Sequence, residues 1–128
     1  MSETTRALIL RHWELANARR WPEFSALLAR ELSYEVPQTQ EYIESGHGYF
    51  EMFRTWPGNW TATIQHLVCD DSKAICIIDF AMGESVMTGI SIFEVQDGLI
   101  HKVTDYWPAP YEPPPRETTH LKRRSSAA

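Results

Sequence analysis

The sequence predicts an α+β domain in which three helices pack in the concavity of a strongly bent, mostly antiparallel sheet. Two observations carry this. Apolar residues recur at helical spacing in three segments before Trp60, interrupted by one strand-like run, and from Trp60 onward the period changes to two in four runs separated by turn residues. The links between those four runs are short, which favours pairing of consecutive strands, and helices that precede such a meander bury their apolar stripes on one face of it.

The elements follow in order. Thr4 to Arg19 places Ile9, Trp13 and Ala16 on one stripe, at i, i+4 and i+7, with His12 at its edge. Pro22 suits the first turn of a second helix whose buried side is Phe24, Leu27 and Leu28. ELSYEVP then turns to strand chemistry, which Pro37 ends. After a polar connection, GHGYFEMFRTWPG restores helical spacing with Tyr49, Phe53 and Trp56 until Pro57-Gly58 breaks it. Strands are expected from Trp60 to Cys69, Ala74 to Met82, Val86 to Val95 and Leu99 to Trp107, with turns at Asp70-Asp71-Ser72, Gly83-Glu84 and Asp97-Gly98. Beyond them PAPYEPPP is too dense in proline for a helix or a central strand. The chain therefore divides into one domain, 1–112, and an extended tail, 113–128, for which Tyr111 is the natural anchor.

Composition narrows the function. With 43% hydrophobic and 23% charged residues the chain has an ordinary globular make-up, sufficient for one core and one pocket. No window reaches the roughly 18 apolar residues of a membrane span and the amino end lacks a leader pattern, so a cytoplasmic protein with no membrane contact is expected. Residues 1–107 carry 8 basic and 15 acidic side chains, a net −7 that would repel a phosphate backbone; the basic LKRR lies in the tail and reads as a solvated run. Nucleic acid is not an expected partner. No metal-ligand spacing, glycine-rich phosphate cradle or GxSxG nucleophile occurs, which leaves a site expected to work without metal or cofactor.

Within the last strand one residue stands out. Val103, Asp105 and Trp107 alternate onto one face, so a carboxylate shares its side of the sheet with tryptophan. An acid walled by aromatics loses hydration, its pKa rises, and it becomes useful for proton transfer near neutral pH. The plain alternative is a structural acid that ion-pairs with an arginine, Arg54 on the aromatic helix being the candidate, or that sits at a strand irregularity facing water. His12 has the same two readings, a hydrogen-bonded partner of Asp105 or a satisfied core histidine. Trp13, Tyr34, Trp56, Ser91, Phe93 and Trp107 are the candidate walls of a pocket for a small hydrophobic molecule.

The helix, then WPEFSALLARELSYEVPQT, then the aromatic helix, then four strands ending in DGLIHKVTDYWPAPYEPPP, together resemble the nuclear transport factor 2-like superfamily and its SnoaL-like branch over about residues 4 to 112. The resemblance implies a cone-shaped, cystatin-like fold. It also implies where to look for chemistry. The general base of ketosteroid isomerases stands directly before the proline closing the first strand, here Val36; their oxyanion tyrosine and second acid correspond to His12 and Ser91. None of the three is retained. In SnoaL-type cyclases an aspartate on a late strand acts as acid/base, and Asp105 resembles it in placement. Two functions stay open: a cofactor-independent lyase, isomerase or cyclase for a small hydrophobic carbonyl or hydroxyl compound, with Asp105 as acid/base and His12 as partner, or a non-catalytic ligand-binding or dimerisation domain. In either case the outward residues of AICIIDF and GISIFEV, Ile75, Ile77, Ile90 and Ile92, leave an apolar sheet face that predicts a homodimer.

Overall fold

The computed structural model of the protein describes residues 2–124; Met1 and residues 125–128, the end of the expected tail, lie outside the described residues. Among these residues the chain forms helices α1 (Ser2–Ala18), α2 (Trp21–Ser25) and α3 (Gly46–Arg54). Its strands are β1 (Leu28–Val36), β2 (Glu41–Ile43), β3 (Trp60–Cys69), β4 (Lys73–Met82), β5 (Ser85–Gln96) and β6 (Leu99–Tyr106). They make one curled sheet in the order β2-β1-β6-β5-β4-β3, with the helices against its concave face. The meander β3 to β6 is antiparallel throughout, as the alternation and short turns predict. The first strand joins it through a parallel pairing with the last, β1 beside β6.

Some expectations about the elements need correction. Leu28 belongs to β1, not to the second helix, because α2 is a single turn that ends at Ser25. Trp56 lies beyond α3, which stops at Arg54. The polar connection after Pro37 contains β2, a hairpin partner of β1 whose three residues are too few to show a period. Tyr111 anchors nothing: it is 79% exposed, and the tail instead closes on itself through Arg123 and Glu112 at 3.2 Å.

Sheet curvature has local causes. In β3 Gln65 is an extra residue between the pairs Ile64–Ile78 and His66–Ile77, and in β6 His101 is an extra residue between Ile100–Val95 and Lys102–Glu94. Each bulge bends its strand and increases its twist. The open edge at β3 is covered by α1, which runs along it and satisfies its backbone. Asn17 donates to the Ala62 carbonyl and accepts from the Ala62 N–H, both at 2.8 Å, mimicking a strand residue. Arg19 donates to the Trp60 carbonyl and lies 3.9 Å over the Trp60 ring, and Arg6 donates to the Leu67 carbonyl. An edge served this way offers no template for another chain. Beneath it the apolar stripe of α1 meets the sheet, where Ile9, Leu15, Phe24, Leu32, Phe93, Ile100 and Val103 are almost fully buried.

Asn17→Ala should therefore cost about 2 kcal/mol, because a buried donor and acceptor of Ala62 lose their partner together. Urea denaturation checks it; a change within about 0.5 kcal/mol, the range of ordinary surface substitutions, would show that the edge is held by packing alone.

Candidate functional site

The bulge at His101 decides which way Asp105 points. Before it Ile100 faces inward; after it the parity switches, and Val103 and Asp105 take the concave side. Asp105 stands directly opposite Ser91 on β5, and the parallel pairing of Tyr34 with Val103 brings the tyrosine of β1 to its other side. The Ser91 hydroxyl donates to Oδ1 and the Tyr34 hydroxyl to Oδ2, each at 2.7 Å. The carboxyl is 5% exposed, and among the described residues no lysine, arginine or histidine forms an ion pair with it. Burial raises its pKa to about 6, with the Ser91 and Tyr34 hydroxyls pulling it back toward the usual carboxylate range. Tyr34 moves the same way, its phenol held above the ordinary value by burial and by the negative charge of Asp105.

The hydrogen bond between His12 and Asp105, one of the two readings of this histidine, is not formed. His12 is fully buried and its Nε2 meets the Tyr49 hydroxyl at 2.8 Å. Its ring is enclosed by Trp13, Phe24, Phe53 and Phe93, with centroids 4.4 to 5.7 Å away, and this desolvation lowers its pKa to about 3. Nδ1 has no partner. The two polar clusters approach each other through their tyrosines, whose rings lie 5.3 Å apart. Arg54, offered by the sequence as a partner for Asp105, is bound to Glu51 on the surface of α3.

Two adjoining spaces lie on the concave side near Asp105. The outer one is a cleft of about 650 Å³ between the β1–β2 hairpin, α3 and the end of the meander, with Val36, Glu41, Met52, Met87 and Trp107 among its walls. The inner one, of about 10 Å³, has Asp105 in its wall with Trp13, Phe53, Phe80 and Trp107 around it. Tyr34, Met52, Trp56 and Trp107 border both spaces and close one from the other. Trp107 is fixed on two sides. Gln38 clasps its backbone, accepting from the N–H and donating to the carbonyl, and its ring lies over Gly89 of β5. A Cβ at position 89 would stand 2.9 Å from the indole, so only glycine leaves the ring its place.

The sequence-predicted residues thus separate. Asp105, Tyr34, Trp13, Trp56 and Trp107 line the inner space, and Ser91 reaches it through the Asp105 carboxylate. His12 and Phe93 lie in the core behind it, lining neither space. Tyr49, Met52, Phe80 and Gln38 were not singled out for the site. Phe80 could have been found from the inward alternation of β4 and Tyr49 from the stripe of α3, whereas nothing local marks Gln38 as the holder of Trp107.

The SnoaL-like domain family model matches residues 9–103. Among solved structures, the chain is similar to a candidate ketosteroid isomerase from Kribbella flavida, with 38% identity, a TM-score of 0.91, and coverage of 98% of this chain and 93% of that one. A nuclear transport factor 2-like protein of unknown function from Burkholderia xenovorans has 17% identity and a TM-score of 0.79, with 96% and 97% covered. A candidate SnoaL-like polyketide cyclase from Shewanella putrefaciens has 10% identity and a TM-score of 0.70, with 84% and 80% covered. These last two show likeness of fold. No curated protein matches the chain in sequence.

Asp105 and His12 give stability opposite pH dependences. With its pKa raised from 3.8 to about 6, folded Asp105 holds a proton that the unfolded chain has released, so stability falls as pH rises through that window. With its pKa lowered from 6.5 to about 3, folded His12 refuses a proton that the unfolded chain binds, so stability falls as pH drops below 6.5. Between about pH 4 and 6 the two slopes oppose each other. Asp105→Asn keeps only the histidine slope. It should be neutral to stabilising at pH 7.5 and lose about 2 kcal/mol relative to wild type between pH 6.5 and 4. Denaturant unfolding of both proteins over pH 4–8 measures this, and parallel stability curves would mean that Asp105 ionises as an ordinary surface acid.

Proposed function

This chain belongs to the SnoaL-like domain family, and we propose that it is a small-molecule-pocket protein acting without a cofactor as a lyase, isomerase or cyclase on a small hydrophobic carbonyl or hydroxyl compound. One observation carries the reading: a carboxylate 5% exposed, held by two neutral hydroxyls and no cation, at the closed end of an aromatic cleft. With its pKa near 6, Asp105 has the driving force to take a proton from a carbon acid and return it, while Ser91 and Tyr34 fix its oxygens. The Kribbella protein's name suggests steroid isomerisation. Here Val36, an aliphatic residue lining the outer cleft, stands where that chemistry has its base, so proton transfer is assigned to Asp105 on the neighbouring strand β6. His12 serves this site indirectly, as the partner that holds Tyr49. The cytoplasm is the proposed place of action, on the sequence grounds already given.

A second reading has its own support. The inner space of about 10 Å³ is nearly filled by aromatic side chains, which suits a domain that binds a ligand in the outer cleft without reacting with it. Exchange of α-protons separates the two. Wild-type protein in D₂O, offered a panel of small cyclic ketones, should speed exchange of at least one, and Asp105→Asn should slow that rate by roughly 10² or more. If no ketone exchanges faster than in buffer while ketones still shift the Trp107 indole resonance, the binding reading replaces the catalytic one.

The homodimer belongs to the same proposal. On the outer sheet face Val68, Ile75 and Ile92 form one cross-strand row, and Ile77, Ile90 and Tyr106 the next. Val68 is 69% and Ile75 44% exposed. A contiguous apolar face of this kind favours pairing with a second copy across a two-fold axis. Sedimentation velocity at micromolar concentration should show a dimer that Ile92→Glu converts to monomer, and a monomeric wild type would remove the idea.

A further inference from the structure

The charges around the cleft have one sign. Glu41 stands at the mouth, close enough for its charge to act on the Tyr34 phenol, and Asp105 stands at the inner end. Among the described residues no lysine, arginine or histidine lines either space. Between the two acids the walls are aromatic: Trp13, Tyr34, Phe53, Trp56, Phe80 and Trp107 surround the inner space, with Phe80 packed edge-on to both Trp56 and Trp107 at 5.6 and 5.5 Å.

Each feature disfavours an anion. A carboxylate or phosphate ligand would leave water to meet two like charges and the negative faces of aromatic rings. Each also favours a cation. Aromatic faces attract ammonium groups, most strongly where water is excluded. Buried charges in folded proteins are normally paired, yet Asp105 has only neutral donors, so its ionised form lacks the counter-charge that would offset desolvation. We infer that the cleft selects a hydrophobic organic cation, a protonated amine whose ammonium group enters the aromatic box and pairs with Asp105. This rests on the reading of the cleft as a ligand site and names the ligand's charge. The apolar body would lie in the outer cleft against Val36, Met87 and Trp107, and entry of the ammonium requires Met52 or Trp56 to turn aside. Methionine adapts readily to such a demand.

Three probes of one shape test it: naphthylmethylamine, naphthylmethanol and naphthoate, titrated calorimetrically at pH 7.5 with the Trp107 indole resonance reporting the site. The amine should bind about tenfold or more tighter than the alcohol, and naphthoate should not bind measurably. Asp105→Asn should abolish the preference for the amine over the alcohol. Equal affinity of amine and alcohol, or preference for naphthoate, overturns the inference while leaving the ligand site and the ketone-exchange test standing. Failure of all three probes to shift Trp107 overturns the inference together with the ligand site beneath it.

Discussion

The structure depends on a desolvated carboxylate on the concave face of the sheet. Water is withdrawn from Asp105 by a wall of aromatic rings, and what replaces it is two hydroxyls at 2.7 Å and no cation. That substitution is incomplete, since neutral donors stabilise a buried charge less than an ion pair does, and the raised pKa expresses the shortfall. Three features of the backbone are needed to produce it. The bulge at His101 turns Asp105 inward, the parallel pairing of β1 with β6 delivers Tyr34, and Gly89 makes room for Trp107 to lie beside the acid. Each is remote in sequence from at least one of the others. The site exists only when the sheet has closed on its first strand.

The polar groups of the interior divide into a pair that faces the cleft and a pair that does not. Tyr34 and Asp105 border open space, whereas His12 and Tyr49 are sealed among aromatics, where the neutral imidazole is the stable form. A histidine held neutral to about pH 3 cannot supply a proton near neutrality, but it fixes the hydroxyl of Tyr49, and Tyr49 packs against Tyr34. The helices thus act on the site through ring packing. Their fixed position follows in turn from α1 being fastened along β3 by Asn17 and Arg19.

What the sequence made legible was local. The period-two runs after Trp60 and the Asp-Gly turn at residues 97 and 98 locate the meander, and alternation along the last strand puts Asp105 and Trp107 on one face. The hidden parts are those fixed at long range. The contact of β1 with β6 joins residues about 70 apart in the chain, so no spacing rule announces it. Whether His12 meets Asp105 or Tyr49 depends on how α1 sits against α3, which spacing along α1 alone does not specify. Gln38 is a polar residue after a proline, unremarkable in the sequence, and only the approach of the hairpin to the end of β6 reveals that it grips Trp107. Closure of the inner space by Met52 and Trp56 is a matter of rotamers, which patterning does not specify.

The ionisation of Asp105 tests the central claim most directly. Selective ¹³C labelling of aspartate, with the Asp105 carboxyl resonance assigned by comparison with Asp105→Asn, gives its titration without any ligand or substrate. A desolvated carboxylate held by Ser91 and Tyr34 alone should titrate near pH 6. A midpoint at or below about 4, the range of an unperturbed aspartate, would contradict the account, because it would mean that a cation or water supplies the solvation that this arrangement withholds.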